Sequence, residues 1–139
     1  MGLIYANVEL INGVDLVLAQ RHIIGEDEVK RMNVKMLVDT GSIMLAINEN
    51  IQEIMQFPVI ERRIVRLANS YIAEYDVVSP VEIRFKNRQT TCRAIILPGD
   101  SSPLLGAIPL EDMDVIIHPT REELIVNPEH LNMAQVIMK

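Results

Sequence analysis

Apolar residues in this chain come in short runs, and a turn signal closes almost every one. Ile4, Ala6, Val8 and Leu10 alternate with Tyr5, Asn7 and Glu9, and Val81, Ile83 and Phe85 alternate with Glu82, Arg84 and Lys86. Alternation with a period of two places one apolar face on a strand. Many short strands, with turns at intervals of about 8–12 residues, specify a mainly β domain whose sheet closes into a barrel or pairs as a sandwich. The chain has 139 residues, the size of one domain. We expect a single unit over 1–139, with a core from about 3 to 127 and a C-terminal tail from 128 to 139.

The remaining runs follow the same logic. Asn12-Gly13 lies between two apolar runs and predicts a hairpin into a second strand over Val14 to Ala19. The 20–31 stretch is a long loop with a charged centre at Gly25-Glu26-Asp27-Glu28. Met32 to Val38 is a third strand, and Ile43 to Ile47 a short apolar one. Asn48 can cap a short helix with Ile51, Ile54 and Met55 on one face, ended by Pro58. Val59 to Leu67 and Tyr71 to Val78 form two strands joined at Ala68-Asn69-Ser70. The first of them carries Arg62, Arg63 and Arg66, so this ribbon is either a charged edge or a mobile cover. Ser79-Pro80 interrupts the pattern, Lys86-Asn87-Arg88-Gln89 turns the chain, and Thr90 to Leu97 returns it. Beyond the loop from Pro98 to Pro103 come Leu104-Leu105-Gly106, two helical turns over Ala107 to Met113, and strands at Val115 to Ile117 and Leu124 to Val126. One or two short helices are expected in all.

Composition removes several functions. The net charge is −6, which argues against a nucleic-acid surface. With three Tyr, two Phe and no Trp, the core must be built from Val, Ile, Leu and some of the eight Met. Cys92 is the only cysteine; no intrachain disulfide or thiolate zinc site can form, and its apolar surroundings predict a buried thiol. His22, His118 and His130 show no metal-ligand spacing, and no glycine-rich phosphate loop is present, so neither metal nor cofactor is expected. No apolar run approaches the ~18 residues that span a membrane. The first residues lack a basic region followed by an apolar stretch and cleavage site. The expected location is the cytoplasm, with no membrane partner.

Met36-Leu37-Val38 runs directly into Asp39-Thr40-Gly41-Ser42. A carboxylate at the end of a rigid strand, flanked by two hydroxyls and a glycine, suits general acid–base chemistry. Gly41 lets the backbone turn, and the Ser42 hydroxyl can hydrogen-bond the carboxylate and favour its charged form. The same triplet is also ordinary turn chemistry.

An apolar strand ending in Asp39-Thr40-Gly41-Ser42, then a strand hairpin, then Leu104-Leu105-Gly106 leading into a short helix, resembles the retropepsin-like aspartic proteases, and the single-domain bacterial members most closely. The resemblance covers roughly Met32 to Asn127. It implies a closed acid-protease barrel, a homodimer, and hydrolysis of a protein or peptide substrate. Asp39 would be the catalytic aspartate, Thr40 would lock the two active-site loops across the dimer, and Gly41 would admit the substrate backbone. Leu104, Leu105 and Gly106 would support the loop from behind. Ala68, Asn69, Ser70 and Tyr71 would form a flap tip, one without the glycines of the retroviral flaps. Hydrolysis by carboxylates needs two that share a proton. None of Asp15, Asp27, Asp76, Asp100, Asp112 and Asp114 is followed by Thr-Gly or Ser-Gly, so the second carboxylate would be the partner's Asp39. A catalytically silent dimeric module of the same fold, a scaffold or a binder of extended peptides by strand addition, is the alternative.

Overall fold

The structure is a computed structural model that describes residues 2–138; Met1 and Lys139, the ends of the expected 1–139 unit, lie outside the described residues. It is mainly β. The strands are β1 (Tyr5–Asn12), β2 (Arg31–Val38), β3 (Leu45–Asn48), β4 (Val59–Arg66), β5 (Ile72–Phe85), β6 (Arg88–Leu97), β7 (Leu104–Leu105), β8 (Val115–His118) and β9 (Glu123–Val126). Among the described residues there are three α-helices, α1 (Gly13–Gln20), α2 (Glu49–Met55) and α3 (Ala107–Met113), together with a 3-10 turn at Glu26–Glu28. The helix count therefore exceeds the one or two expected.

The additional helix is α1, where a hairpin strand was expected. Asn12 does not enter a two-residue turn. Its backbone stays extended (φ −69°, ψ 112°), and its Oδ1 accepts hydrogen bonds from Val14 N and Asp15 N at 3.0 and 3.2 Å. Asn is among the best N-cap residues for this reason. The Asn12 amide, buried in the core, also donates to Met55 O at 2.9 Å, joining the start of α1 to the end of α2. Gly13 is required by proximity: a Cβ there would lie 2.7 Å from Pro80 Cγ. The predicted break at Ser79-Pro80 is likewise absorbed. β5 continues through it with a register shift between Val78 and Val81.

Seven strands form one sheet in the order β1-β2-β7-β3-β6-β5-β4, and β1 also pairs with β5 through Glu9 and Arg84 to Asn12 and Val81. The pairings thus close on themselves around β1, β2, β7, β3, β6 and β5. β4 is left outside the ring, zipped onto the first half of β5 as a hairpin. β8 and β9 form a separate two-stranded sheet.

The closed sheet has two apolar faces. Leu45, Ile47, Val78, Ala94 and Leu105 face an interior that also holds Leu10, Met36, Ile83, Phe57 and Met113. Their alternate neighbours Ala46, Val77, Ile95, Leu97 and Leu104 point to the opposite face and form a smaller cluster with Met44 and Val65. Val65 comes from β4, so the hairpin covers this second cluster. Residues 128–138 contain no helix or strand but are held to the rest of the chain. Asp114 accepts from Asn127 Nδ2 at 2.9 Å and Gln135 N at 3.0 Å, and pairs with His130 Nδ1 at 2.7 Å. Arg88 donates to His130 O and Asn87 to Leu131 O.

Candidate active site

β2 carries Asp39 to a position fixed on both sides. Val38 N donates to Ile4 O at 2.8 Å, while Leu37 N and Asp39 N donate to Pro103 O and Leu105 O, each at 3.0 Å. β7 runs parallel to β2 and antiparallel to β3, so it lies between the strand that enters the Asp39 loop and the one that leaves it. After the loop, Ala107 N and Ile108 N donate to Ser42 O and Ile43 O at 2.7 and 2.9 Å. Residues 39–43 and 103–108 are therefore bound by a run of backbone hydrogen bonds. Gly106 sits where this packing is tightest: a Cβ would fall 2.3 Å from Met44 O and 2.7 Å from Ser42 O.

Within the loop, the two carboxylate oxygens of Asp39 have different partners. Oδ1 accepts from Gly41 N at 3.0 Å, and Oδ2 accepts from the Ser42 hydroxyl at 3.2 Å. The carboxylate is half-buried and held in one orientation. A Cβ on Gly41 would approach Asp39 Oδ1 to 3.2 Å, so glycine here spares the carboxylate a tight contact. Thr40 is exposed, and among the described residues its hydroxyl has no hydrogen-bond partner. No second carboxyl group hydrogen-bonds Asp39 within the described chain.

Asp39, Thr40, Gly41, Ser42, Leu104, Leu105 and Gly106 thus converge where β2, β7 and β3 meet. Ala68, Asn69, Ser70 and Tyr71 do not join them directly. They form the exposed tip of the β4–β5 hairpin, closed by Leu67 N to Tyr71 O and Ser70 N to Leu67 O, both 2.9 Å. Ser70 takes the left-handed conformation (φ 66°) usually given to glycine, and Asn69 Oδ1 accepts from Tyr71 N at 3.0 Å. These two bonds and the Asx-type contact build the tip without a glycine.

Sequence reasoning missed the residues under the hairpin. Met44 and Leu104 line the second apolar cluster beside the Asp39 loop, and Val65 closes it from above. Next to them Glu61 Oε1 accepts from Arg63 Nη2 at 3.0 Å and from Arg93 Nη1 at 2.7 Å, and Arg63 Nη1 lies 3.6 Å from Met44 Sδ. The only sequence trace of this group was the arginine content of β4. Cys92 is half-buried; burial pushes its thiol up to about 12, with the Asp112 carboxylate adding to the shift. No group of three or more His, Cys, Asp or Glu among the described residues can hold a metal ion, and no helix among them is long and apolar enough to cross a membrane. No protein-family model matches the chain, and no curated protein matches it.

Proposed function

We propose that the chain is an aspartic endopeptidase of the retropepsin type, active as a homodimer. The observation that carries this reading is the Asp39 loop: a carboxylate with both oxygens engaged by its own loop, braced from behind by Leu104-Leu105-Gly106. One carboxylate cannot both donate a proton to a scissile carbonyl and take one from water. Two carboxylates close together can, because like charges at short range keep one of them protonated. Each chain supplies one Asp39, so a two-fold axis through the loop completes the dyad. The Thr40 hydroxyl is exposed, and in this reading it would hydrogen-bond the partner's loop.

In this reading the ionised Asp39 accepts a proton from water as the water oxygen attacks the peptide carbonyl. The protonated partner donates to the carbonyl oxygen. Collapse of the tetrahedral intermediate passes a proton to the leaving amine, and the dyad returns to its shared-proton state. The Ser42 hydroxyl and Gly41 N–H hold each carboxylate so that its attack geometry is set before substrate arrives. β4 and the part of β5 before Val77 reach beyond the closed ring, and their tip is the element that would cover an extended peptide.

The test is peptide hydrolysis by wild type and Asp39→Asn, with sedimentation of both. Asn keeps an acceptor for Gly41 N and an amide that can face the Ser42 oxygen, so the loop stays formed while proton transfer is lost. Hydrolysis should vanish while the dimer persists. Undiminished cleavage by Asp39→Asn rejects Asp39 as the catalytic group. Binding without cleavage by wild type across a broad peptide library supports the silent module.

A further inference from the structure

Glu61, Arg63 and Arg93 lie where three strands meet over the second apolar cluster. Glu61 pairs with Val77 and Val77 with Ile95, and Arg93 is two residues from Ile95 on the same face of β6. Val65, two residues beyond Arg63 on β4, packs on that cluster beside Met44 and Leu104. Arg63 and Arg93 therefore border the apolar floor next to the Asp39 loop.

The charges there do not balance. Two guanidinium groups share one carboxylate oxygen, leaving a net charge of +1 in a chain whose total is −6. Among the described residues Glu61 is the only carboxylate paired with two arginines. On the outer face of the hairpin, by contrast, Arg62 is matched one-to-one by Asp76 at 2.9 Å. Each shared guanidinium gives one N–H to Glu61 and has further donors to offer. The Met44 sulfur against Arg63 is a weak acceptor, one that a carboxylate outcompetes. Arg63 and Arg93 keep 40% and 46% of their side-chain surface exposed, so a ligand can reach them.

We propose that this surface beside the Asp39 loop selects peptides bearing an acidic side chain, which Arg63 and Arg93 receive together. The inference rests on reading the surface around the Asp39 loop as a peptide site, and it goes further by naming the substrate class. The carboxylate of a bound Glu or Asp supplies the missing negative charge and meets two planar forks suited to it. Apolar neighbours of that side chain pack against Met44 and Leu104, under Val65. A basic side chain at the same place meets an uncompensated positive charge.

Octapeptides with Glu, Gln or Lys placed at each position in turn, in an otherwise apolar sequence, provide the test. Cleavage is measured with wild type, and binding by fluorescence anisotropy with Asp39→Asn. At the best position Glu should exceed Gln by about fivefold, the scale of a half-exposed charge pair, and Lys should fall below Gln. The Glu/Gln ratio should drop to about one in Arg63→Met/Arg93→Met, survive in Arg63→Lys, and rise in Glu61→Gln. Equal binding of Glu and Gln peptides overturns the inference, as does a preference that persists in the double Met variant. Cleavage without discrimination leaves the endopeptidase reading standing and removes this one. Discriminating binding without any cleavage does the reverse. Absence of both binding and cleavage removes both.

Discussion

At Gly106 the loop that carries Asp39 and the segment that supports it come within backbone contact. A methyl group there has no flexible neighbour to displace, because the atoms it meets are the carbonyl oxygens of Met44 and Ser42. Gly106→Ala should therefore destabilise by about 3 kcal/mol, the upper part of the usual overpacking range. Urea unfolding should show the midpoint moving down with the slope unchanged. At Gly99, where φ is 56° but open space surrounds the position, the same change meets only the cost of left-handed backbone, about 1 kcal/mol. Cys92 carries a second expectation at this scale. Its thiol, pushed up to about 12 chiefly by burial, holds almost no thiolate at pH 8. An aromatic disulfide reagent should label it far more slowly in the native protein than in denaturant; equal rates would contradict the burial seen here.

Among the elements, α1 depends on one side chain. Asn12 caps α1 and donates to the carbonyl that ends α2, both from within the core. Asn12→Ala loses the cap and leaves buried Met55 O without that donor, so the sum should reach about 2–3 kcal/mol by thermal or urea unfolding. Asn12→Asp keeps the cap but sets a buried carboxylate oxygen against Met55 O, and should cost at least as much as Ala. This element also shows where sequence reading stops. Asn-Gly serves a hairpin turn and a helix N-cap equally well, and an apolar run such as Val14 to Ala19 fits strand or helix. Packing of Leu16 and Ala19 over Ile11 decides between them, and that contact is not a local property. β1 and the second half of β5 were legible because strict alternation, over Ile4 to Leu10 and Val81 to Lys86, has a single interpretation. Asp39 was legible because its supporting groups, Gly41 and Ser42, are its sequence neighbours. The Glu61–Arg63–Arg93 group was not, because only the register across β4, β5 and β6 brings Arg93 to Glu61.

Over the whole molecule, the tail is tied through Asp114 to the junction of α3 and β8. Hydrogen bonds from Asn127 and from the Gln135 backbone, outweighing its partial desolvation and aided by His130, hold this carboxyl down to about 2, against 3.8 for the free group. A carboxyl whose folded value is depressed stabilises above the unfolded value and loses that contribution as pH falls through the folded one. The clasp is thus complete above pH 3.8 and released progressively toward pH 2. Amide exchange at Gln135, corrected for intrinsic rates, should accelerate across that window while β6 stays protected. Asp114→Ala should bring severalfold faster proteolysis within 128–138 at neutral pH, with the barrel intact; an unchanged digestion pattern would mean that Asn87 and Arg88 hold the tail unaided.

The placement of β7 also sets an order of events in time. Because β7 separates β2 from β3, those two strands have no direct pairing to form early. The Asp39 loop waits for Leu105, which lies 66 positions later in the chain. At about 5–20 residues per second of synthesis, that delay is roughly 3–13 seconds. Until then the nascent chain carries its key carboxylate on an unfinished edge, and the closed ring is completed through contacts distant in sequence, the kind that form slowly. A chain cut short before residue 104 would therefore retain Asp39 without the frame that orients it.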